Sequence, residues 1–528
     1  MTYIKLIFFL LAAVIATSNA TNVAFIKCMS SQTKKVINSS DHLLAPGSPS
    51  YSSLMKSSQQ NPRWVNSTTQ KPLYIVTPYT DIEIQASILC SRKHGLEVRI
   101  LSGGHDYEGQ SFRSKVPFII INLINLRAVR VNIEDETAWV QSGATLGEVY
   151  YNIAKKSSVH GFPAGVCPSV GIGGHVSGGG FGNMVRKHGL AADNVIDAYL
   201  IDVYGRILNR KTMGKNLFWA IRGGGGASFG VIVSWKIKLV RVPAVVTYFS
   251  VDKKLDQGAT ELVDRWQYVA DKLPEDLFIR IIMQNVGPVN NRTAQASFQS
   301  LFLGKVSDLI PVMGKWFPEF GLRAENCTEM TWFESALSFA GYPKESSWDV
   351  FLTRTDQYQS NMKGKSDYAT KPIPKSGLEG IWKQFQTEES VFVIMEPFGG
   401  RMNKISKSKT PYPHRKGNLY NLQYLVKWDV NTVKATKKHM SWIRKLYKYM
   451  KPYVSHSPRR AYQNYRDFDL GINKQLNTTY NEAAGWGKKY FKNNFRRLAK
   501  VKTKADPYNF FRHEQSIPLI SKEKKNRH

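Results

Sequence analysis

Residues 162–182 read Phe162-Pro-Ala-Gly-Val-Cys-Pro-Ser-Val-Gly-Ile-Gly-Gly-His-Val-Ser-Gly-Gly-Gly-Phe-Gly182, and eight of these twenty-one positions are glycine. Backbone without Cβ approaches a bulky ligand closely and reaches positive φ, so that its N–H groups can converge on phosphate oxygens. The stretch therefore reads as a pyrophosphate cradle. Two more glycine clusters, Ser102-Gly-Gly-His-Asp-Tyr107 and Arg222-Gly-Gly-Gly-Gly226, reinforce it. None of the three contains G-x-G-x-x-G, so an ordinary Rossmann site is excluded and tight turns are the plain alternative.

Around the clusters, residues 72–242 alternate short β-branched runs with glycine turns. Residues 73–77, 98–101, 118–122 and 231–235 read as strands, and 82–94, apolar at Ile84, Ile88 and Leu89, as a crossover helix. This pattern is an α/β or α+β lobe. Past Pro243 the texture changes to longer helices (259–272, 307–317, 433–449) with strands at 277–283 and 419–428 and a loop-like basic stretch at 402–418. Residues 244–460 are expected to form a second lobe, as suits a chain of 528 residues.

At the N-terminus, Lys5 precedes an apolar run over 6–16, and Ser18-Asn19-Ala20 offers small residues for cleavage. Residues 1–20 are read as a signal peptide, too short to span a bilayer, and no later segment is apolar enough to do so. Secretion follows, to the apoplast and cell wall or to the vacuole. In that setting the sequons at Asn38, Asn66, Asn291, Asn326 and Asn477 are candidate glycans. The four cysteines, Cys28, Cys90, Cys167 and Cys327, allow one staple and leave others for chemistry.

A formal charge of +33 suggests polyanions, but the basic residues of the C-terminal half match no nucleic-acid module. Long-range adhesion to acidic wall polysaccharide is expected instead, with a merely solvated cationic surface as the alternative. No nucleic acid, metal site or obligate oligomer is expected.

His105 follows one glycine pair directly, and Cys167 stands just before another cluster. An imidazole nitrogen and a thiolate are well suited to add to an electrophilic isoalloxazine ring; a hydrogen-bonded histidine and a buried thiol are the structural alternatives. The extended motifs Ser102-Gly-Gly-His-Asp-Tyr-Glu-Gly109, Phe162 to His175 and Lys502-Thr-Lys-Ala-Asp-Pro-Tyr-Asn-Phe-Phe511 closely resemble the plant berberine-bridge-enzyme-like oxidases, a branch of the vanillyl-alcohol-oxidase type of FAD fold. The resemblance runs from about Phe25 to Pro518.

The resemblance implies an α+β protein: a two-lobed PCMH-type FAD domain over 21–243 (core about 68–243), completed by a C-terminal segment, 461–521, that returns to it. A substrate domain, 244–460, with an antiparallel sheet under helices, stands between, and a basic tail, 522–528, follows. It implies bicovalent FAD, His105 bonded to the 8α-methyl carbon and Cys167 to carbon 6, and a high flavin potential. Ser102, Gly103, Gly104, Gly171, Gly173, Gly174, His175, Gly178, Gly179, Gly180, Gly182, Val170 and Asn509 would complete the cofactor contacts, and Cys28 would pair with Cys90, leaving Cys327 as an inert thiol.

For catalysis, Ala461-Tyr-Gln-Asn-Tyr-Arg-Asp467 resembles the family segment that supplies a tyrosine base near N5, with Tyr465 the first choice and Tyr462 the second. Gln423 stands where the alkaloid-closing relatives carry a glutamate base, which argues against that reaction. Gln423 and Tyr107 fit carbohydrate- and monolignol-oxidising relatives, whereas Phe181 and Asn421 depart from their usual Tyr and Lys. Val170, small at the family's oxygen-gating position, implies an oxidase that makes hydrogen peroxide. The expected function is oxidation of a small alcohol, carbohydrate or monolignol-like, with O2 as acceptor. Oxidative closure or coupling of an alkaloid or prenylated phenol is the second reading, and a wall-binding or defence protein the non-enzymatic one.

Overall fold

The computed structural model describes residues 23–35, 42–64, 70–288, 291–355, 359–388, 390–474 and 477–520. The expected signal peptide, the basic tail and the sequons at Asn38 and Asn66 lie outside these residues, while Asn291, Asn326 and Asn477 are described and exposed.

The fold is α+β. Its first sheet holds β1 (Leu43–Leu44), β2 (Tyr74–Val76), β3 (Glu97–Leu101) and β4 (Phe118–Asn122) in the order β1-β2-β4-β3. Central β4 runs parallel to both β2 and β3, and all five of its residues are buried. A strand covered on both faces needs an apolar run such as residues 118–121. The helix Asp81–Lys93 makes the crossover from β2 to β3, one residue earlier than the apolar spacing predicts. Its start is fixed by the Glu83 carboxylate, which accepts the Thr80 backbone N–H at 2.9 Å. On its buried side Cys90 is disulfide-bonded to Cys28 of the N-terminal helix, Cα to Cα 5.8 Å. Neither Cys167 nor Cys327 is in a disulfide, and burial pushes the Cys327 thiol up to about 11, away from reactivity.

A second sheet, β5 (Val129–Asn132), β6 (Thr137–Gln141), β8 (Val195–Ile201), β9 (Ile207–Leu208) and β10 (Val231–Lys238), has β10 at its centre in the order β5-β6-β10-β8-β9. A small ladder joins β7 (His160–Gly161) to β11 (Val240–Arg241).

The third sheet holds seven antiparallel strands, ordered β15-β12-β14-β13-β17-β18-β16. They are β12 (Val246–Lys254), β13 (Leu277–Val286), β14 (Thr293–Phe302), β15 (Thr328–Met330), β16 (Asn361–Ala369), β17 (Val391–Pro397) and β18 (Tyr420–Trp428). Helices Ala259–Val269, Lys375–Phe385 and Val433–Tyr449 cover one face, where Trp266, Trp382, Trp442 and Ile443 pack on Leu422, Tyr424 and Val426 of β18. Because side chains alternate along a strand, Gln423, Leu425 and Lys427 fall on the opposite face, toward the glycine-rich loops. The first of these helices stops at Val269, short of residue 272, and the chain turns there with the Lys272 and Leu273 N–H groups both on the Val269 carbonyl at 2.8 and 3.0 Å.

Residues 461–520 return to the first part of the chain. Tyr462, Trp486, Phe495 and Leu498 share a core with Val140 and Trp235, and Phe510 and Phe511 pack with the first sheet. The basic stretch 402–418 is loop apart from the short helix Arg401–Lys404, and it is anchored: the Arg415 guanidinium grips Asp193 at 2.7 and 2.8 Å.

Candidate active site

A cavity of about 520 Å³ separates the glycine-rich loops from the open face of the seven-stranded sheet. The loops touch through bare backbone. A Cβ at Gly103 would lie 2.2 Å from the Gly171 nitrogen, one at Gly171 2.2 Å from Ser102 Oγ, and one at Gly182 1.7 Å from the Ala164 oxygen. Gly104 also needs glycine, at φ +74°. Gly174 is the counterexample: it lines the cavity, yet a Cβ there would meet nothing within 4 Å. The short helix Ile172–Ser177 starts at this wall. The Ile172 N–H bonds to the Ala144 oxygen at 2.9 Å, while Gly173 and Gly174 have first-turn N–H groups with no carbonyl behind them in the helix. A wall of glycine backbone that presents N–H donors to the cavity fits a large, phosphate-bearing cofactor such as FAD.

Two clamps hold the wall. His175 accepts the Gly165 N–H through Nε2 at 3.0 Å, and burial lowers its pKa to about 4, so the ring stays neutral. Tyr462 accepts from the Gly180 N–H at 2.9 Å and from Asn464 Nδ2 at 3.0 Å. Tyr462 is buried behind the wall. Gly179 and Gly180 shape it from the same side, and Asn509 sits outside the lining in a left-handed turn at φ 51°.

His105 and Cys167 both line the cavity. Cys167 Sγ stands 3.4 Å from Ser169 Oγ, and the Val170 N–H turns back to the Cys167 carbonyl at 3.3 Å, which brings Val170 to the same wall. The loop carrying His105 is fixed from the C-terminal segment, where Arg466 Nε donates to Asp106 at 2.6 Å. Behind it Glu108 accepts from Arg63 at 2.8 Å and from Lys363, which also bonds Asp467 at 2.7 Å. Lys365 reaches Asp467 at 2.6 Å. This buried lattice joins the His105 loop, β16 and the C-terminal segment.

The sheet wall is polar. The Gln423 amide donates to the Tyr107 hydroxyl, and the Tyr107 ring stacks on Tyr465 with centroids 5.9 Å apart and planes within 1°. The Tyr465 hydroxyl donates to Glu396 Oε2 at 3.4 Å. Burial, then the Glu396 charge, hold Tyr465 well above the ordinary phenol value. Burial also raises the Glu396 carboxyl, and Arg280 pulls it back. Arg280 is held by Gln299 Oε1 at 2.9 and 2.6 Å. Phe181 lines the cavity and packs on Phe398 at 5.6 Å, whereas Asn421 is not part of the lining and pairs across the strands with Glu396.

Glu396 and Arg280 escape the sequence reading. The available signal was a lone charge inside each of two apolar strands, Leu277-Phe-Ile-Arg-Ile-Ile-Met283 and Val391-Phe-Val-Ile-Met-Glu-Pro397. A buried lone charge in a strand needs a partner, and each supplies part of the other's. Among the described residues, no cluster of three or more His, Cys, Asp or Glu side chains could hold a metal ion.

Residues 72–210 match the FAD binding domain family model, and residues 461–518 match the berberine and berberine like model. Berberine bridge enzyme-like 22 of Arabidopsis thaliana is 52% identical over 98% of this chain and 99% of its own length. The tetrahydroberberine oxidase of Berberis wilsoniae is 48% identical over 97% of each. Among solved structures, wild-type Phl p 4.0202, a glucose dehydrogenase, superposes with TM-score 0.89 at 43% identity, covering 94% of this chain and all of that one. A Phl p 4 variant with valine in place of one isoleucine, a glucose oxidase, superposes equally well. The glycine wall, the cofactor it fits and these full-length likenesses converge: the chain belongs to the berberine bridge enzyme-like family of FAD-binding oxidoreductases, and its α+β fold is of the PCMH type.

Proposed function

We propose that this protein is a secreted oxidase, apoplastic or vacuolar, that holds FAD through both His105 and Cys167 and oxidises an alcohol, a carbohydrate or monolignol-like molecule, with O2 reduced to hydrogen peroxide. The observation that carries the reading is that both tether candidates line one cavity with the Tyr465, Tyr107 and Gln423 cluster on its far wall. Bound there, FAD would supply the hydride acceptor that O2 regenerates.

The chain's own residues orient the substrate and move its proton. Gln423 donates to the Tyr107 hydroxyl, which leaves that hydroxyl's own proton for a substrate oxygen. Tyr465 is the group that takes the substrate proton; Tyr462, with two donors already on its oxygen, serves as the clamp of the glycine wall. Glutamine at 423 cannot act as the base, which supports alcohol oxidation over the ring-closing reaction. Val170 is read as an open gate for O2, and the valine-for-isoleucine Phl p 4 glucose oxidase supports the idea that one methylene suffices to change the acceptor.

Two measurements test this. After acid precipitation, the wild type and each single tether variant retain yellow colour in the pellet, and H105A/C167A releases it; colourless wild-type pellets would refute the tethers. Without O2, an alcohol panel should bleach the flavin. The likeness to a tetrahydroberberine oxidase and the apolar Phe181–Phe398 pair favour a second reading, an aromatic alkaloid substrate. Bleaching by alkaloids and not by alcohols would select it.

Helix Val433–Tyr449 exposes Lys434, Lys437, Lys445 and Lys448 and carries no acidic residue. We assign to this face, in a monomer, salt-sensitive adhesion to acidic wall polysaccharide. Retention on a polygalacturonate matrix that does not weaken with added salt would refute it.

A further inference from the structure

We propose that Glu108 is the positioning residue of the His105 tether, so that its loss costs the bond at His105 and spares the bond at Cys167. The inference rests on the two-tether reading and adds to it the group on which one of the two bonds depends.

The loop from His105 to Gly109 is braced by three distant segments of the chain, and the braces meet at Glu108. Its carboxylate, 2% exposed, accepts Arg63 Nη2 at 2.8 Å, the Lys363 ammonium, and the Phe468 N–H at 3.0 Å. Those donors come from the N-terminal segment, from β16 and from the returning C-terminal segment. Beside it, the Tyr107 carbonyl accepts from Asn61 Nδ2 at 3.0 Å, Trp64 Nε1 at 3.2 Å and Arg63 Nη2 at 3.3 Å. Gly109, at φ +62°, lies under the Trp64 ring, where a Cβ would come within 2.3 Å. Asn61 is locked in turn to β16, donating to the Met362 carbonyl at 3.1 Å and accepting the Met362 N–H at 3.2 Å. Of the loop's two ion pairs, Arg63–Glu108 is the drier, its side chains 7% and 3% exposed against 13% and 20% for Arg466–Asp106.

The Cys167 loop hangs on a different frame. The Leu146 and Gly147 N–H groups, at the start of the helix Leu146–Ala154, donate to the Val170 and Pro168 carbonyls at 2.8 and 2.9 Å, and neither bond involves Glu108. Bonding at His105 is a demanding event. An imidazole nitrogen joins the 8α carbon, one N–H and one C–H bond break, and the two protons and two electrons set free end on O2 as hydrogen peroxide. Misplacing the attacking atom by about 1 Å costs such a step about 100-fold. Upstream of His105 stand Gly103 and Gly104, whose backbone offers no side-chain anchor, so the fix comes from downstream. Arg63 and Lys363 offset the desolvation of the Glu108 carboxylate, and the anchor stays buried and rigid.

The test places E108Q and E108D in two backgrounds, C167A and H105A, in each of which a single tether is left. The acid pellet of E108Q/C167A should hold about a tenth of the colour held by C167A, although the protein is yellow before precipitation. E108Q/H105A should keep its colour in full, and E108D/C167A should recover most of what E108Q/C167A lost. The mass of the flavin-bearing peptide identifies the bonded residue in each case. Full retention by E108Q/C167A overturns the proposal. So does equal loss in both backgrounds, which would make Glu108 a support of the whole fold rather than of one tether. Should E108Q not fold, Lys363→Met in the same two backgrounds carries the comparison, with the same selective loss expected and the same two outcomes overturning it. A readout that needs no bond to flavin is hydrogen exchange: amides of residues 104–110 should exchange about tenfold faster in E108Q than in wild type, with residues 165–173 unchanged, and equal rates over 104–110 would refute the anchor. Failure of the two-tether reading looks different, since C167A alone would then give a colourless pellet while hydrogen exchange still reports on Glu108.

Discussion

The two walls of the cavity are built on opposite principles. The glycine wall is backbone against backbone, where Gly103, Gly171 and Gly182 leave no room for a single carbon. The sheet wall is side chain on a rigid frame, where Gln423, Glu396 and Arg280 project from paired strands whose backbone has no stake in their identity. The first wall can only be kept or broken. The second can be rewritten residue by residue, so relatives with one fold can take glucose or tetrahydroberberine.

Substitutions should separate the two behaviours. The largest effect is expected from Tyr465→Phe, which should slow substrate-driven bleaching by about 1000-fold while flavin content and unfolding temperature stay near wild type; stopped-flow absorbance under anaerobic conditions measures it. On the other wall, Gly182→Ala forces a carbon to 1.7 Å from a carbonyl oxygen and should cost about 3 kcal/mol of stability with loss of bound flavin. Denaturant unfolding and the visible spectrum report both.

The glycine wall should also carry a pH signature. The pKa of His175 is lowered to about 4 from 6.5, so the unfolded chain binds this proton more readily than the folded one between those values. Stability is then fully present above pH 6.5 and falls as pH drops toward 4, by about 3 kcal/mol from this group. His175→Gln, which retains an acceptor for the Gly165 N–H, should flatten that slope in unfolding curves collected across the window. The smallest effect is expected from Val170→Ile: reoxidation by O2 slowed about tenfold, roughly 1.4 kcal/mol of barrier, with substrate bleaching unchanged.

The contrast also explains what could be read in advance. The cofactor wall is legible because its parts are contiguous: His105 sits beside its glycines and Cys167 beside its own, so local sequence is local structure. The strand–helix–strand unit over 74–101 and the helix Val433–Tyr449 are legible through periodicity. The Cys28–Cys90 disulfide is legible only through resemblance, since four cysteines allow several pairings. Arg280 and Glu396 each stand out as a lone charge in an apolar strand, but their pairing is not legible, because they lie 116 positions apart and meet only through sheet register. Tyr462 and Tyr465 share a motif, and only packing shows that one faces the wall's back and the other the cavity.

The return of residues 461–520 has a consequence for biosynthesis. The Tyr462 clamp on Gly180, the Arg466 grip on Asp106 and the Asp467 corner of the ion lattice all come from the final stretch to leave the ribosome. Earlier segments can collapse during translation, but the pocket for the flavin is closed only when synthesis ends. Cofactor loading is therefore expected only after translation ends, and a premature stop near residue 460 should yield a chain that never becomes yellow.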